Sequence, residues 1–365
     1  MTRRPFVTLE HEDERADVLV VTSGWPNEDN DTYCVFIKRQ MESLIRLGLR
    51  CDVVFIRGYR SPLAYLLAAV ELGWWSVVKK RGRYRLVHAH SGEAALAATF
   101  YRRAPLLVSY LGDDILGTPG ADGRVPLLSR LRRSLFRQHS RLARHTITKS
   151  REMHCALPSA VRRSNTVLPN GVDTRLFRPI DRDAARHKLG WAADNRVALF
   201  VGDPKVQRKR YWLAERAVED ARSRLPDLRL KVAAGITPNQ IPVLMNASDC
   251  LLLTSSIEGS PNVVKEALMC NLPVVATAAG DVAELLQDVQ PSYVCEPSIT
   301  AVSTALVDCL LEPRRSNGRA VSHRLTEDVI ADSLLYLYKQ LAPRLDLETL
   351  GAREDVETET PEGAR

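Results

Sequence analysis

The chain has few cysteines, few aromatic residues and no long apolar run. Its seven cysteines in 365 residues are odd in number, scattered along the chain, and include no C-x-x-C pair. This usage argues against a disulfide framework or a zinc site and favours a reducing cytosol. The longest apolar-rich stretch, residues 63–78, contains Glu71 and is too short to span a bilayer. No apolar segment follows Met1, so we expect no signal peptide.

Two missing motifs narrow the function. No G-x-G-x-x-G follows a strand pattern, which argues against a dinucleotide-dependent oxidoreductase. No nucleic-acid-binding module or aromatic stacking motif is present, so we expect no nucleic-acid partner. Hydrophobic residues make up 45% of the chain and charged residues 26%, which is typical of a soluble globular protein with room for two domains.

Positive charge is concentrated in the first half of the chain. The formal net charge is +7, and residues 1–165 hold 27 Lys and Arg against 16 Asp and Glu. Such a field suits an anionic partner: phosphates, nucleic acid or an anionic membrane face. An arginine-rich solvated surface explains the same excess, so the charge alone does not choose between these interpretations.

Short apolar runs alternate with helical patterns along most of the chain. This alternation predicts an α/β protein with parallel sheets covered on both faces. The alternation restarts after Phe177, and we therefore expect two lobes joined near residues 168–179, with a cleft between them.

The most informative stretch is residues 258–266, Glu-Gly-Ser-Pro-Asn-Val-Val-Lys-Glu. An apolar run of strand length precedes it, and a helical pattern begins at Val263. A strand, a tight turn and a helix in this order aim backbone N–H groups and a positive helix end at an anion such as a phosphate. The two carboxylates can accept hydrogen bonds from hydroxyls, in which a sugar and a ribose are rich.

This stretch resembles the E-x7-E signature of the retaining nucleotide-sugar glycosyltransferases of family 4. The resemblance extends over roughly residues 17–340, and it implies the GT-B fold: two Rossmann-like parallel-sheet lobes, a cleft between them and a C-terminal helix crossing back to the first lobe. Three further segments carry it: a P-N-G-V-D string at 167–173 with F-R-P at 177–179, a strand and loop at 272–284, and a first strand and loop at 18–40.

The resemblance also implies a division of the chain. We expect a flexible arm at 1–15, an acceptor-side Rossmann-like domain at 16–168 and a nucleotide-sugar domain at 169–326. A crossover helix at 327–345 follows. Residues 346–365 are acidic and poor in large apolar groups, so we expect a disordered tail.

By resemblance, Glu258 contacts hydroxyls of the donor sugar and Glu266 holds the ribose of the nucleotide. Lys209 and Arg208 follow a predicted strand, where basic residues neutralise a diphosphate leaving group. Seen alone, each of these residues is also explained as a solvated surface charge. The remaining predicted donor-binding residues are Gly259, Ser260, Pro261, Asn262, Gly202 and Asn170.

Two catalytic candidates belong to the first lobe. Residues 110–114 match the family's H-G-x-D loop, except that Leu111 replaces the histidine, so Asp114 or its neighbour Asp113 is expected to orient an acceptor hydroxyl. His90 ends a predicted strand and is expected to face the cleft. His88 and His90 lack a third ligand at a recognisable spacing, so we expect no metal in the site.

The donor is expected to be a UDP- or GDP-sugar, with no bound cofactor, and the acceptor a glycan or lipid-linked hydroxyl. Residues 62–81 and 124–145 combine apolar side chains with basic ones. They suit either an anionic membrane face or a core helix with a basic solvent face. We expect a cytoplasmic protein, peripheral on the inner face of the membrane if the first interpretation holds.

Three departures from the family pattern keep other functions open. Leu111, Cys34 and Asp203 replace residues that the family uses in its cleft. A catalytically idle glycosyltransferase-like scaffold therefore remains an alternative to a hexosyltransferase. A nucleotide-sugar 2-epimerase-like enzyme is a second alternative, because such epimerases share the GT-B architecture.

Overall fold

The computed structural model describes residues 7–10, 16–28, 33–78, 84–118, 120 and 125–345. These residues form two α/β lobes, each built on one sheet. The acidic segment 346–365 lies outside the described residues, as does most of the N-terminal arm.

The first lobe contains a seven-stranded sheet in the order β1-β3-β2-β4-β5-β6-β7. All neighbouring strands are parallel except β1 and β3. The strand order reverses at β2, which places a crevice at the carboxyl ends of β2 and β4. The strands are β1 (Val7–Glu10), β2 (Val18–Thr22), β3 (Cys51–Ile56), β4 (Leu86–His90), β5 (Leu106–Ser109), β6 (His145–Thr148) and β7 (Asn165–Val167).

The prediction of a flexible arm at 1–15 is wrong for Val7–Glu10. This segment pairs antiparallel with β3, with Val7 opposite Ile56. A strand of four residues between charged flanks is too short for its alternation to stand out in the sequence. It covers an edge of β3 that would otherwise be open to another chain.

Helices cover both faces of the first sheet. Buried residues of α1 share one core cluster with the last helix of the chain, whereas those of α2, α3 and α5 share the opposite cluster. The helices of this lobe are α1 (Val35–Arg46), α2 (Leu63–Val77), α3 (Gly92–Ala98), α4 (Asp113–Leu116), α5 (Leu127–His139), α6 (Arg151–Ala156) and α7 (Ser159–Arg162).

The second lobe contains a five-stranded, fully parallel sheet in the order β12-β11-β10-β8-β9. Its strands are β8 (Arg196–Val201), β9 (Leu228–Ala233), β10 (Cys250–Leu253), β11 (Val274–Thr277) and β12 (Tyr293–Cys295). Its helices are α8 (Arg182–Leu189), α9 (Tyr211–Ala221), α10 (Ile241–Ala247), α11 (Asn262–Met269), α12 (Val282–Leu286), α13 (Ile299–Leu310) and α14 (Gly318–Val321).

The chain crosses between the lobes twice, and the two crossings are bonded to each other. The N–H of Val172 donates to the carbonyl of Leu325, and the N–H of Glu327 donates to the carbonyl of Val172. Gly171 lies so close to this second crossing that a Cβ there would be 2.6 Å from the Cα of Glu327, which explains the glycine of the P-N-G-V-D string.

The last helix, α15 (Glu327–Leu341), returns to the first lobe, as the resemblance implies. Its Leu334 and Tyr338 are fully buried in the core cluster that contains Ile37 and Met41 of α1. The predicted two-lobed GT-B architecture is therefore confirmed.

Within the described residues, no helix has both the length and the apolarity that a membrane crossing requires.

Candidate active site

The carboxyl ends of the two sheets meet where the lobes touch. The loop after β10 carries Gly259, and a Cβ at this position would be 2.7 Å from the carbonyl oxygen of Leu111, in the loop after β5. The same Cβ would be 3.3 Å from the Cα of Gly112. The backbones of the two loops are thus in direct contact, and only glycine fits between them.

Glu258 is the centre of a charged cluster in the second lobe. Its Oε1 is 2.9 Å from Nη1 of Arg208 and 3.0 Å from Nζ of Lys209, and it accepts a 2.8 Å hydrogen bond from the Ser255 hydroxyl. Burial alone raises the pKa of Glu258, but the charges of Lys209 and Arg208 outweigh burial and hold the pKa below its usual value. The carboxylate is therefore ionised at neutral pH.

The basic loop after β8 is fixed to the loop after β10. The Thr254 hydroxyl donates to the carbonyls of Lys209 and Arg210, and the Arg210 guanidinium donates to the carbonyls of Thr254 and Ser255 at 2.8 Å. The aliphatic part of Lys209 lies over Gly202, where a Cβ would be 3.4 Å from Cε of the lysine. This brings together Lys209, Arg208, Gly202 and Glu258, as the sequence predicts. Arg210 is a positioning residue that the sequence analysis did not single out.

The turn before α11 faces the cleft. The Nδ2 of Asn170 donates to Oδ1 of Asn262 at 3.4 Å, which joins the inter-lobe segment to the first turn of the helix. Pro261 is buried, and the Ser260 hydroxyl is buried without a hydrogen-bond partner among the described residues. Behind the turn, a Cβ at Gly280 would be 2.7 Å from the carbonyl oxygen of Glu258.

Glu266 lies on α11, one turn of the helix after Asn262. Burial raises the pKa of Glu266 to about 7, and the charges of Arg39, Lys265 and Lys209 reduce the effect. Arg39 belongs to α1, so a first-lobe cation lies near a second-lobe carboxylate. Glu266 therefore faces the boundary between the lobes and titrates near neutral pH.

Asp114 differs from its predicted role. It is 1% exposed, and its carboxylate accepts hydrogen bonds from the backbone N–H groups of Gly92, Leu111, Gly112 and Ile115. These bonds hold the loop after β5 against the start of α3. The geometry makes Asp114 a positioning residue for this loop, because its oxygens are already occupied. The neighbouring Asp113 has a 60% exposed side chain.

His90 ends β4 and is 1% exposed, with both ring nitrogens buried and unpartnered among the described residues. Its ring centroid is 4.1 Å from that of His88. His88 is bonded on both nitrogens, to the Tyr338 hydroxyl at 2.5 Å and the Ser109 hydroxyl at 2.8 Å. Burial, with the nearby charge of Lys149, lowers the pKa of His90 to about 3, so the ring is neutral. The two histidines thus differ: His88 is a bonded core residue and His90 is an unpartnered one.

Two buried lysines near the lobe boundary were not predicted as site residues, and one of them, Lys149, acts on the pKa of His90. Lys149, after β6, is 2% exposed, and Lys265, on α11, is fully buried. Burial and their mutual repulsion lower the pKa of Lys149 to about 7, and burial lowers that of Lys265 to about 8. The sequence held only one signal for Lys149, its place directly after a predicted strand.

Cys34 occupies a position where the family has glycine. It has a left-handed backbone with φ of 51°, the conformation that glycine favours. Gly24 packs on its side chain, since a Cβ there would be 2.4 Å from the Cys34 Sγ. Among the described residues, no group of three His, Cys, Asp or Glu side chains is placed to hold a metal ion.

Comparisons with known proteins agree with this geometry. Residues 8–176 match the model of Glycosyltransferase Family 4, and residues 192–312 match that of Glycosyl transferases group 1. The chain belongs to the glycosyltransferases, with one matching model on each lobe. This transferase is 23% identical to the putative teichuronic acid biosynthesis glycosyltransferase TuaC of Bacillus subtilis, over 79% of the chain and 88% of the relative. It is 28% identical to the D-inositol 3-phosphate glycosyltransferase of Mycobacterium tuberculosis, over 58% of the chain and 50% of that relative.

Solved structures share the fold of this glycosyltransferase. Sucrose-phosphate synthase from Thermosynechococcus elongatus superposes with a TM-score of 0.71 at 17% identity, over 89% of this chain and 98% of the other. HepE from Anabaena, in complex with UDP and glucose, superposes with a TM-score of 0.65 at 19% identity, over 90% and 100% of the two chains. At these identities the likeness concerns the fold alone.

Proposed function

We propose that this glycosyltransferase moves a hexosyl group from a UDP- or GDP-sugar to a hydroxyl of a lipid-linked or surface-polysaccharide acceptor, with retention at the anomeric carbon. The observation that carries the proposal is the ionised Glu258 held by Lys209 and Arg208, opposite the first-lobe loop at Leu111. The names of relatives support it: HepE was solved with UDP and glucose, and TuaC is assigned to teichuronic acid biosynthesis.

In this proposal the cleft acts by alignment and charge. The bond from the anomeric carbon to the diphosphate breaks, a bond to the acceptor oxygen forms, and the acceptor proton passes to the leaving diphosphate. Lys209 and Arg208 stabilise the negative charge that develops on the diphosphate. Glu258 holds hydroxyls of the sugar, and its negative charge favours positive charge at the anomeric carbon. Glu266 accepts hydrogen bonds from the ribose.

The turn before α11 provides the phosphate site in this proposal. The N-terminal N–H groups of α11 lack partners within the helix and carry the positive end of its dipole. Ser260 and Asn262 add side-chain donors, and Gly202 leaves room for the approach of the diphosphate. Gly259, Pro261 and Asn170 set the position of the turn.

A lipid-linked acceptor is supported by an apolar surface on the first lobe. On α2 the side chains of Leu66, Val70 and Trp74 are 60%, 65% and 65% exposed. On α5, Leu128 and Leu131 are 79% and 59% exposed, and the helix carries four arginines between Leu127 and His139. Apolar side chains beside arginines suit the interface of an anionic bilayer, so we propose peripheral association with such a membrane.

A ligand screen followed by turnover tests the proposed function. Thermal unfolding of the full chain is measured with UDP, GDP, ADP and their sugars. We expect one nucleotide family to raise the melting temperature, and the rise to disappear in Glu266→Ala. The matching sugar nucleotide is then incubated with candidate lipid-linked acceptors, and NMR of the product reads the anomeric configuration. Stabilisation by no nucleotide, in the presence or absence of acceptor, would favour the idle scaffold.

A further inference from the structure

Two buried ammonium groups face the lobe boundary from opposite sides. Lys149 lies between the end of β6 and the start of α6, and Lys265 lies on α11. The helix that begins two residues after Lys149 touches the second lobe, since a Cβ at Gly259 would be 3.3 Å from Sδ of Met153 on α6. The lysines are close enough for the charge of Lys265 to lower the pKa of Lys149.

Asp281 and Glu266 act on the charge of Lys265, whereas Lys149 has no carboxylate partner that accounts for its burial. Among the described residues, no carboxylate oxygen lies within 4.0 Å of Nζ of Lys149 or of Lys265. Lys265 donates one hydrogen bond, of 2.9 Å, to the carbonyl of Asn170. The opposite charge acting on Lys149 is that of Asp114, whose oxygens already accept four backbone N–H groups. A buried charge without a close partner is costly, so an anion is the group that Lys149 lacks.

Unpartnered polar atoms lie at the same boundary and point to a ligand independently. Both ring nitrogens of His90 are buried without a partner, and Lys149 acts on its pKa. A neutral imidazole offers one N–H donor. The Ser260 hydroxyl, by contrast, lies near the Asp281 carboxylate, whose pKa it lowers, so it does not require an added ligand. Buried polar groups of native proteins are nearly always bonded, so the two orphaned ring nitrogens of His90 indicate a missing partner.

We propose that Lys149, His90 and Lys265 form a second anion-binding position in the cleft, separate from Lys209 and Arg208. It would take an oxyanion of the nucleotide sugar, and the inference therefore rests on the proposed function. Two sources share this chemistry: the carboxylate of a uronic acid as the transferred sugar, and a phosphate of the diphosphate. The ammonium of Lys149 makes an anion the favoured ligand at this position, because Lys149 has no other partner there.

Calorimetric titration of the full-length chain tests the inference and separates the two sources. Wild type and Lys149→Met are titrated at pH 6.5 with UDP, UDP-glucose and UDP-glucuronate, and with GDP and GDP-mannose. We expect the variant to weaken binding at least tenfold. A loss for every ligand of the recognised base assigns the position to the diphosphate. A loss confined to UDP-glucuronate assigns it to the sugar carboxylate.

Controls separate a binding role from a structural one. Lys188→Met removes an exposed lysine of α8 and should leave all dissociation constants unchanged. Lys149→Arg keeps the charge and should retain part of the affinity. Without ligand, Lys149→Met should melt at a higher temperature than wild type, since it removes an unpaired buried charge.

The result that overturns the inference is a folded Lys149→Met variant that binds every ligand as wild type does. That outcome would leave the proposed function standing, because wild type would still bind a nucleotide sugar. Absence of binding to wild type would instead overturn the proposed function and this inference with it.

Discussion

The Glu258 carboxylate and the Lys209 ammonium are 3.0 Å apart and join the loops that follow two neighbouring strands, β10 and β8. Arg208 binds the same carboxylate oxygen at 2.9 Å. The negative and positive groups proposed for the sugar and the diphosphate are thus positioned by each other before any donor arrives. Such pre-organisation lowers the reorganisation that the reaction itself requires.

Replacing Glu258 with Gln should reduce turnover at least 100-fold while the chain stays folded, because the amide keeps the shape but loses the charge. Steady-state rates with the identified donor and circular dichroism check this. Glu312→Gln, on an exposed residue of the same lobe, is the matched control and should keep full activity. Near-normal turnover of Glu258→Gln would remove this carboxylate from the mechanism.

Replacing Lys209 with Met should weaken the binding of the nucleoside diphosphate by about tenfold or more, as expected for a lost charge-assisted contact of about 1.5–3 kcal/mol. Calorimetric dissociation constants measure the effect. Lys205→Met changes an exposed lysine of the same loop and serves as control. Equal constants for the Lys209 variant and wild type would contradict a role in diphosphate binding.

Gly259→Ala should stop turnover while nucleotide binding to the second lobe continues, because the new Cβ would be 2.7 Å from the Leu111 carbonyl and force the lobes apart. Small-angle scattering should report a larger radius of gyration. Gly73→Ala, within α2, meets its first neighbour at 3.8 Å and should add about 0.5–1 kcal/mol of stability. An active, compact Gly259→Ala protein would show that the contact is dispensable.

Stability should depend on pH through Glu266. In the folded protein, burial raises the pKa of Glu266 from 4.5 to about 7. The protonated side chain therefore makes its full contribution to stability below pH 4.5, and this contribution is lost as the pH rises through 7. Glu266→Gln should therefore gain on the order of 2 kcal/mol over wild type at pH 8.5 and little at pH 5. Melting curves at both pH values test this against the exposed control Glu219→Gln. A gain independent of pH would argue against the titration.

Association with anionic vesicles should fall several-fold in the double variant Trp74→Ser with Leu131→Ser, which removes two exposed apolar side chains. Flotation with vesicles of phosphatidylglycerol and phosphatidylcholine gives the measurement. Trp75 is left in place because it packs against the first-lobe core. Val294→Ser, on a second-lobe strand and 41% exposed, is the control. Unchanged flotation of the double variant would exclude this surface as the membrane face.

Patterns local in sequence predicted much of the fold. The apolar runs at β2, β3, β8 and β10 are strands because they are buried on both faces, and buried parallel strands are continuous in apolar residues. The short strand β1 carries no such signal. Its pairing with β3 is a tertiary contact between segments more than 40 residues apart.

The candidate site was predictable where its chemistry lies in one motif. Glu258, Lys209 and Asn262 lie where the E-x7-E and basic-loop patterns indicate. The role of Asp114 depends on hydrogen bonds from four backbone N–H groups, one of them at the start of α3. The spacing of residues in the sequence does not indicate such bonds. Lys149 and Lys265 are about 115 residues apart in sequence and become neighbours only when the lobes meet.

Val172 and Thr326 pair side by side where the chain crosses between the lobes. Two bonded segments restrict twisting and sliding of the lobes more than a single connection would. We therefore expect any separation of the lobes to act first on the contact between Gly259 and Leu111, which lies outside the bonded crossings. The hydrogen bond between Lys265 and Asn170 should persist, because Asn170 directly precedes Gly171 of the first crossing.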